Sequence, residues 1–82
     1  MAVYVDGLFD YGKRGKWCHM ATDGDLPELH EMADRIGLKR EWFQNHPTHP
    51  HYDLRASKRR LAIKEGAIPK SRQEVFKICF MK

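Results

Sequence analysis

Three histidines, two prolines, a tyrosine and an aspartate stand within eight residues in HPTHPHYD (His46–Asp53), and LRASKRR (Leu54–Arg60) follows at once. Imidazoles titrate near neutrality and ligate transition metals, and a carboxylate can orient either role. His51 is the candidate acid or base, because Tyr52 and Asp53 tie it to an ordered element. His46 and His49 each precede a proline, Pro47 and Pro50, and these prolines stiffen a loop and forbid a helix there. The alternative reading gathers His46, His49, His51 and Asp53 around a divalent metal. The spacing lacks the i, i+4 geometry of helical zinc motifs, so the preferred reading assigns no metal and no other cofactor.

The element expected to position His51 is a helix capped by Asp53 and running to about Glu65, with Gly66 as its stop. At about 100° per residue, Leu54, Leu61 and Ala62 define its apolar side, and Lys58 falls in the middle of that side. An inward lysine must snorkel, pair with a carboxylate or line a cleft. Free N–H groups in the first turn favour an anion. Lys58, Tyr52, Arg55 and Arg59 near that turn therefore suit a phosphate or carboxylate. Asp53 itself reads as the cap.

A second contributor is expected at the end of the first strand, AVYV (Ala2–Val5), where Asp6 follows. The loop LFDYGKRGK (Leu8–Lys16) places Lys13 and Arg14 among glycines as a basic lid. It lacks P-loop spacing, and no Gly-x-Ser-x-Gly or GxGxxG is present.

Charge supports an anionic partner. Residues 1–53 carry six Lys/Arg and nine Asp/Glu, whereas residues 54–82 carry nine and two, so the second segment is strongly basic. With 82 residues, 41% hydrophobic and 32% charged, the chain reads as one small globular domain spanning 1–82. No apolar run approaches the roughly 20 residues of a membrane helix, and MAVYV does not read as a signal peptide. The expectation is a cytoplasmic protein with no membrane partner. Cys18 and Cys79 lie far apart in apolar stretches and read as buried thiols rather than a disulfide or zinc pair.

WCHMA (Trp17–Ala21) reads as a second strand with Cys18 and Met20 on one face and Trp17 and His19 on the other. Asp25 and Glu28 form a capping-box-like pair ahead of the stripe Leu29, Met32, Ala33 and Ile36, and Gly37 stops that helix. His30 flanks the stripe as a boundary residue. EWFQ (Glu41–Gln44) reads as a third strand. SRQE (Ser71–Glu74) opens a last helix by its capping-box pattern, although VFKICF (Val75–Phe80) has strand-like composition. The expected fold is α/β: a small sheet of about three strands packed by two or three helices.

In this order, YVD (Tyr4–Asp6), CHM (Cys18–Met20), LHEMADRIGL (Leu29–Leu38), WFQ (Trp42–Gln44), HYDL (His51–Leu54), KRRLAI (Lys58–Ile63) and GA (Gly66–Ala67) resemble the family known as domain of unknown function 4031. The resemblance implies a small bacterial or phage protein and carries over no catalytic residues. The family's start is associated with a second aspartate after YVD, where this chain has Gly7.

Three functions are compatible with these residues. The preferred one is a domain binding a phosphate-bearing ligand, a nucleotide or nucleic acid, at the N-terminus of the helix near Asp53. The second is a hydrolase acting on such a ligand, with His51 as acid/base and Asp6 assisting. The third is a phage-encoded inhibitor of a host protein.

Overall fold

The computed structural model describes residues 2–81. Its elements run β1 (Val3–Val5), β2 (Phe9–Asp10), β3 (Lys16–Thr22), α1 (Leu26–Arg35), β4 (Tyr52–Leu54), α2 (Ala56–Lys64), β5 (Ile68–Pro69) and α3 (Arg72–Val75). A π-helical stretch, Phe76–Phe80, continues α3, and single 3₁₀ turns lie at Gly12–Arg14 and Arg40–Trp42.

β3 organises the sheet. One edge pairs antiparallel with β1 in the register Val5↔Met20, and the other with β4 in the register Met20↔Tyr52. β1 also takes β5 in parallel. The fold is α/β with a mixed five-stranded sheet and three helices. More strands are present than the three or so expected, because β2 and β5 have two residues each and carry no readable alternation.

Alternation along β3 sorts its side chains as the sequence suggested. Cys18 and Met20 are buried in the main core, with Leu29, Met32, Ala33 and Ile36 of the first helix and Ala62 of the second. On the opposite face Ala21 packs with Val75 and Cys79 from the C-terminal segment. That segment covers the sheet around Tyr4 and Ala21. Half-buried Trp17 and His19 follow on the same face.

Both long helices end in Schellman turns. At α1, Leu38 N–H donates to the Ala33 carbonyl and Gly37 N–H to that of Asp34. At α2, Ala67 and Gly66 make the same bonds to Ala62 and Ile63. Gly37 and Gly66 take φ of 78° and 112°, where a Cβ would be strained.

Several local expectations need correction. Asp53 is not a helix cap: it is the middle residue of β4, between fully buried Tyr52 and Leu54, and α2 starts at Ala56 with Arg55 at its N-cap. Glu41–Gln44 forms no strand. Its first residues complete the 3₁₀ turn, and Gln44 makes an isolated bridge with His51, exchanging both backbone hydrogen bonds. The proline-stiffened loop is thus closed at its base by Gln44 and His51. Asp25 makes no side-chain cap; Glu28 instead accepts from the Thr22 hydroxyl, 2.9 Å away. The tail does begin as a helix, and Ser71 and Glu74 form the full capping box.

Leu29 is fully buried at the centre of the core. Leu29→Ala should cost about 2–5 kcal/mol in urea unfolding, as for buried leucine truncations. A loss under about 0.5 kcal/mol would place the residue in the exposed class.

Candidate functional site

The site grows from a defect in the sheet. Val5 pairs with Met20, and Asp6 N–H still donates to the His19 carbonyl at 3.1 Å. Pairing resumes at Phe9↔Trp17, so Gly7 and Leu8 oppose Cys18 alone, as in a β-bulge. The Asp6 carboxylate fills the gap. One oxygen accepts the His19 backbone N–H at 2.6 Å, and the other lies 2.7 Å from His19 Nδ1. The Asp6 carbonyl is left to accept from Arg59 Nε at 2.7 Å. A carboxylate side chain only 3% exposed is thereby satisfied by N–H donors.

His19 is directly opposite Asp53 in the β3–β4 register, so Asp6, His19 and Asp53 form a row across three strands. His51 joins them from the base of the proline loop. It is 6% exposed, its ring meets that of His19 edge-on at 4.9 Å, and its Nε2 is 3.3 Å from Asp53 Oδ1. His51 Nδ1 lies 2.7 Å from the His49 carbonyl. Gln44 donates to the second Asp53 oxygen.

These groups floor a cleft of about 570 Å³. Its walls include Tyr11 and Arg14 from the first loop, and Trp17, Gln44 and Arg55. The Arg55 guanidinium lies 4.5 Å over the Trp17 ring. Gly15, at φ 84°, lets it approach: a Cβ there would meet an Arg55 nitrogen at 2.9 Å.

Burial opposes the charged form of His51, but the Asp53 hydrogen bond, the His49 carbonyl and the charges of Asp53 and Asp6 outweigh it, so its pKa is raised. The His51 hydrogen bond, opposed by burial, holds Asp53 below the usual carboxylate range. The Cys18 thiol behind this floor is pushed up to about 12, first by burial and then by the Asp6 charge.

The sequence-derived candidates divide. His51, Asp6, Asp53, Arg55 and Arg14 meet at or beneath the cleft. Lys13 shares the turn with Arg14 but is exposed and outside the wall. Tyr52 needs correction, since its side chain points to the core face, where its hydroxyl pairs with His30 Nδ1 at 2.8 Å. Arg59 is committed to the Asp6 carbonyl. Lys58 lines a cleft, but the adjacent one, with Leu38, Trp42, Asp53 and Arg55, and its ammonium donates to the Ile36 carbonyl at 2.6 Å, closing the end of α1. His46 and His49 stack on each other at 3.5 Å. Among the described residues, the group whose donor atoms converge is His19, His51 and Asp53, all within 4.8 Å of one another. His19 was not among the sequence candidates. Its signal was the β3 alternation, which set it on the face away from Cys18 and Met20.

A family model described as "Protein of unknown function (DUF4031)" matches residues 3–82. No curated protein and no solved structure matches the chain.

Two outcomes follow for the protein without metal. The His51–Asp53 pair stabilises the fold fully between pH 3.8 and 6.5, the ordinary values of its two groups. Its contribution is lost as pH rises through the raised His51 value or falls through the lowered Asp53 value. The stability difference between wild type and Asp53→Asn, measured by urea unfolding, should therefore peak near about pH 5 and shrink above neutrality. A difference that grows with alkalinity would contradict the pairing. Cys18 should resist iodoacetamide at about pH 8 in the native state and react once unfolded. Rapid native labelling at Cys18, located by peptide mass, would show the thiol to be accessible.

Proposed function

The chain belongs to the DUF4031 family, and from its own geometry we propose that the cleft over β3 and β4 binds a phosphate-bearing ligand of nucleotide size. The observation that carries this reading is the wall: Arg14 and Arg55 bring two guanidiniums to one concavity beside Trp17 and Tyr11. Guanidinium forks match phosphate oxygens, and aromatic faces accept a base or a sugar. The cleft volume of about 570 Å³ falls in the range of small-ligand pockets. The ligand site is thus at the strand face, and the N-terminus of α2 contributes through Arg55 at its cap.

Hydrolysis of that ligand is a second reading, supported by the His51 imidazole, whose pKa is raised from 6.5. Asp6 serves His19 rather than His51, so its assistance in such a reaction is indirect.

Amide chemical shifts should move at Arg14, Trp17 and Arg55 when nucleoside mono- and diphosphates are added, and Arg55→Ala should weaken binding about tenfold or more. A closed pocket predicts a shallow salt dependence. Binding only to long single strands, falling steeply with salt, would point to a nucleic-acid surface instead. Undiminished nucleotide affinity in an Arg14→Ala, Arg55→Ala double variant would overturn the proposal.

A further inference from the structure

We propose that His19, His51 and Asp53 are the protein ligands of one divalent first-row transition ion at the floor of the cleft. The inference stands on the floor alone and does not rest on the phosphate reading.

The hydrogen bonds fix which nitrogen of each ring is available. The Asp6 carboxylate accepts from the His19 backbone N–H and faces its Nδ1 at 2.7 Å, so Nδ1 carries the hydrogen. Nε2 is then the lone-pair nitrogen of the neutral ring, and it makes no hydrogen bond among the described residues. The His49 carbonyl can only accept, so His51 Nδ1, 2.7 Å away, also carries a hydrogen. His51 Nε2 is left facing Asp53 Oδ1 at 3.3 Å.

Two lone-pair atoms at that distance need a positive centre between them. A proton supplies it in the metal-free protein, and a metal ion can take the proton's place. The separation is also suited to an ion: bonds of 2.0–2.2 Å in a tetrahedral shell set donors roughly 3.3–3.6 Å apart. A structural ion pair would explain His51 and Asp53. It would not explain a third donor on the neighbouring strand, backed by its own buried carboxylate.

Both imidazoles have the rear hydrogen bond that metal-bound histidines carry, His19 to a carboxylate and His51 to a carbonyl. Gln44 steadies the other oxygen of Asp53. One ligating atom from each of the three residues lies within 4.8 Å of the others. Binding would draw the three together, with room to move in the His19 and Asp53 side chains, 24% and 39% exposed. Two imidazoles and one carboxylate leave positions open toward the cleft, the pattern of catalytic rather than structural metal sites. Asp53 and Asp6 together balance the charge of a divalent ion. His51 is then a ligand and not a free acid or base.

Untagged protein stripped by chelator should bind one equivalent of Co2+, read by its visible absorption, and one of Zn2+, read by calorimetry. His19→Gln and Asp53→Asn should each lower affinity about 100-fold, and Asp6→Asn about 10–100-fold, with circular dichroism unchanged. The double variant His46→Ala, His49→Ala should keep the site. Failure of wild type to take up stoichiometric Co2+ or Zn2+ would overturn the proposal. So would uptake that survives His19→Gln and disappears in the His46, His49 variant. Should a ligand variant not fold, wild type decides it. Zn2+ should then move the Nε2 resonances of His19 and His51 and leave those of His46 and His49 in place; the opposite pattern would overturn the assignment.

Discussion

A buried carboxylate standing in for its own carbonyl underlies the working face of this molecule. Asp6 offers its side chain, not its backbone oxygen, to the His19 N–H, and its carbonyl turns to Arg59. The desolvation of a nearly inaccessible carboxylate is offset by the donors gathered around it. The consequences spread along the chain. The first strand breaks, the register slips by one residue, and β2 departs into the loop that carries Tyr11 and Arg14. The same carboxylate holds the imidazole of His19 from behind.

The cleft is the part of the sheet that the C-terminal segment leaves uncovered. Val75 and Cys79 pack over Ala21, and the histidines follow on the same face. His51 is delivered there by a closed loop. Gln44 and His51 seal its base through two backbone hydrogen bonds, so prolines that exclude regular structure also limit where His51 can go. The basic residues of α2 then act unequally. Arg55 reaches the cleft, whereas Lys58 and Arg59 are held by backbone carbonyls of other elements. A dense run of positive charge in the sequence resolves into one wall residue, Arg55, two structural ties, Lys58 and Arg59, and the exposed Arg60.

Features governed by local periodicity were legible in the sequence. The buried stripe of α1, the alternation of β3 and the stops at Gly37 and Gly66 follow from side-chain spacing and from glycine's access to positive φ. Asp53 was misread because an aspartate before a helix and an aspartate on the open face of a three-residue strand look alike, and such a strand is too short to show a period. Lys58 had the correct helical phase, but its partner, the Ile36 carbonyl, belongs to another helix end. His51 was identified through its neighbours in sequence. His19 was missed because each group that gives it a role, Asp6, His51 and Asp53, arrives from another strand or loop through pairing that no local pattern encodes.

The central claim is that Asp6 fixes the His19 ring so that Nε2 faces the cleft. The direct measurement is which His19 ring nitrogen carries the hydrogen, read from long-range nitrogen–proton correlations of metal-free protein. The account predicts the Nδ1–H tautomer for His19, and its loss of definition in Asp6→Asn. A His19 ring protonated at Nε2 and bare at Nδ1 would contradict it, because the Asp6 oxygen would then accept nothing from the ring and no lone pair would face the site.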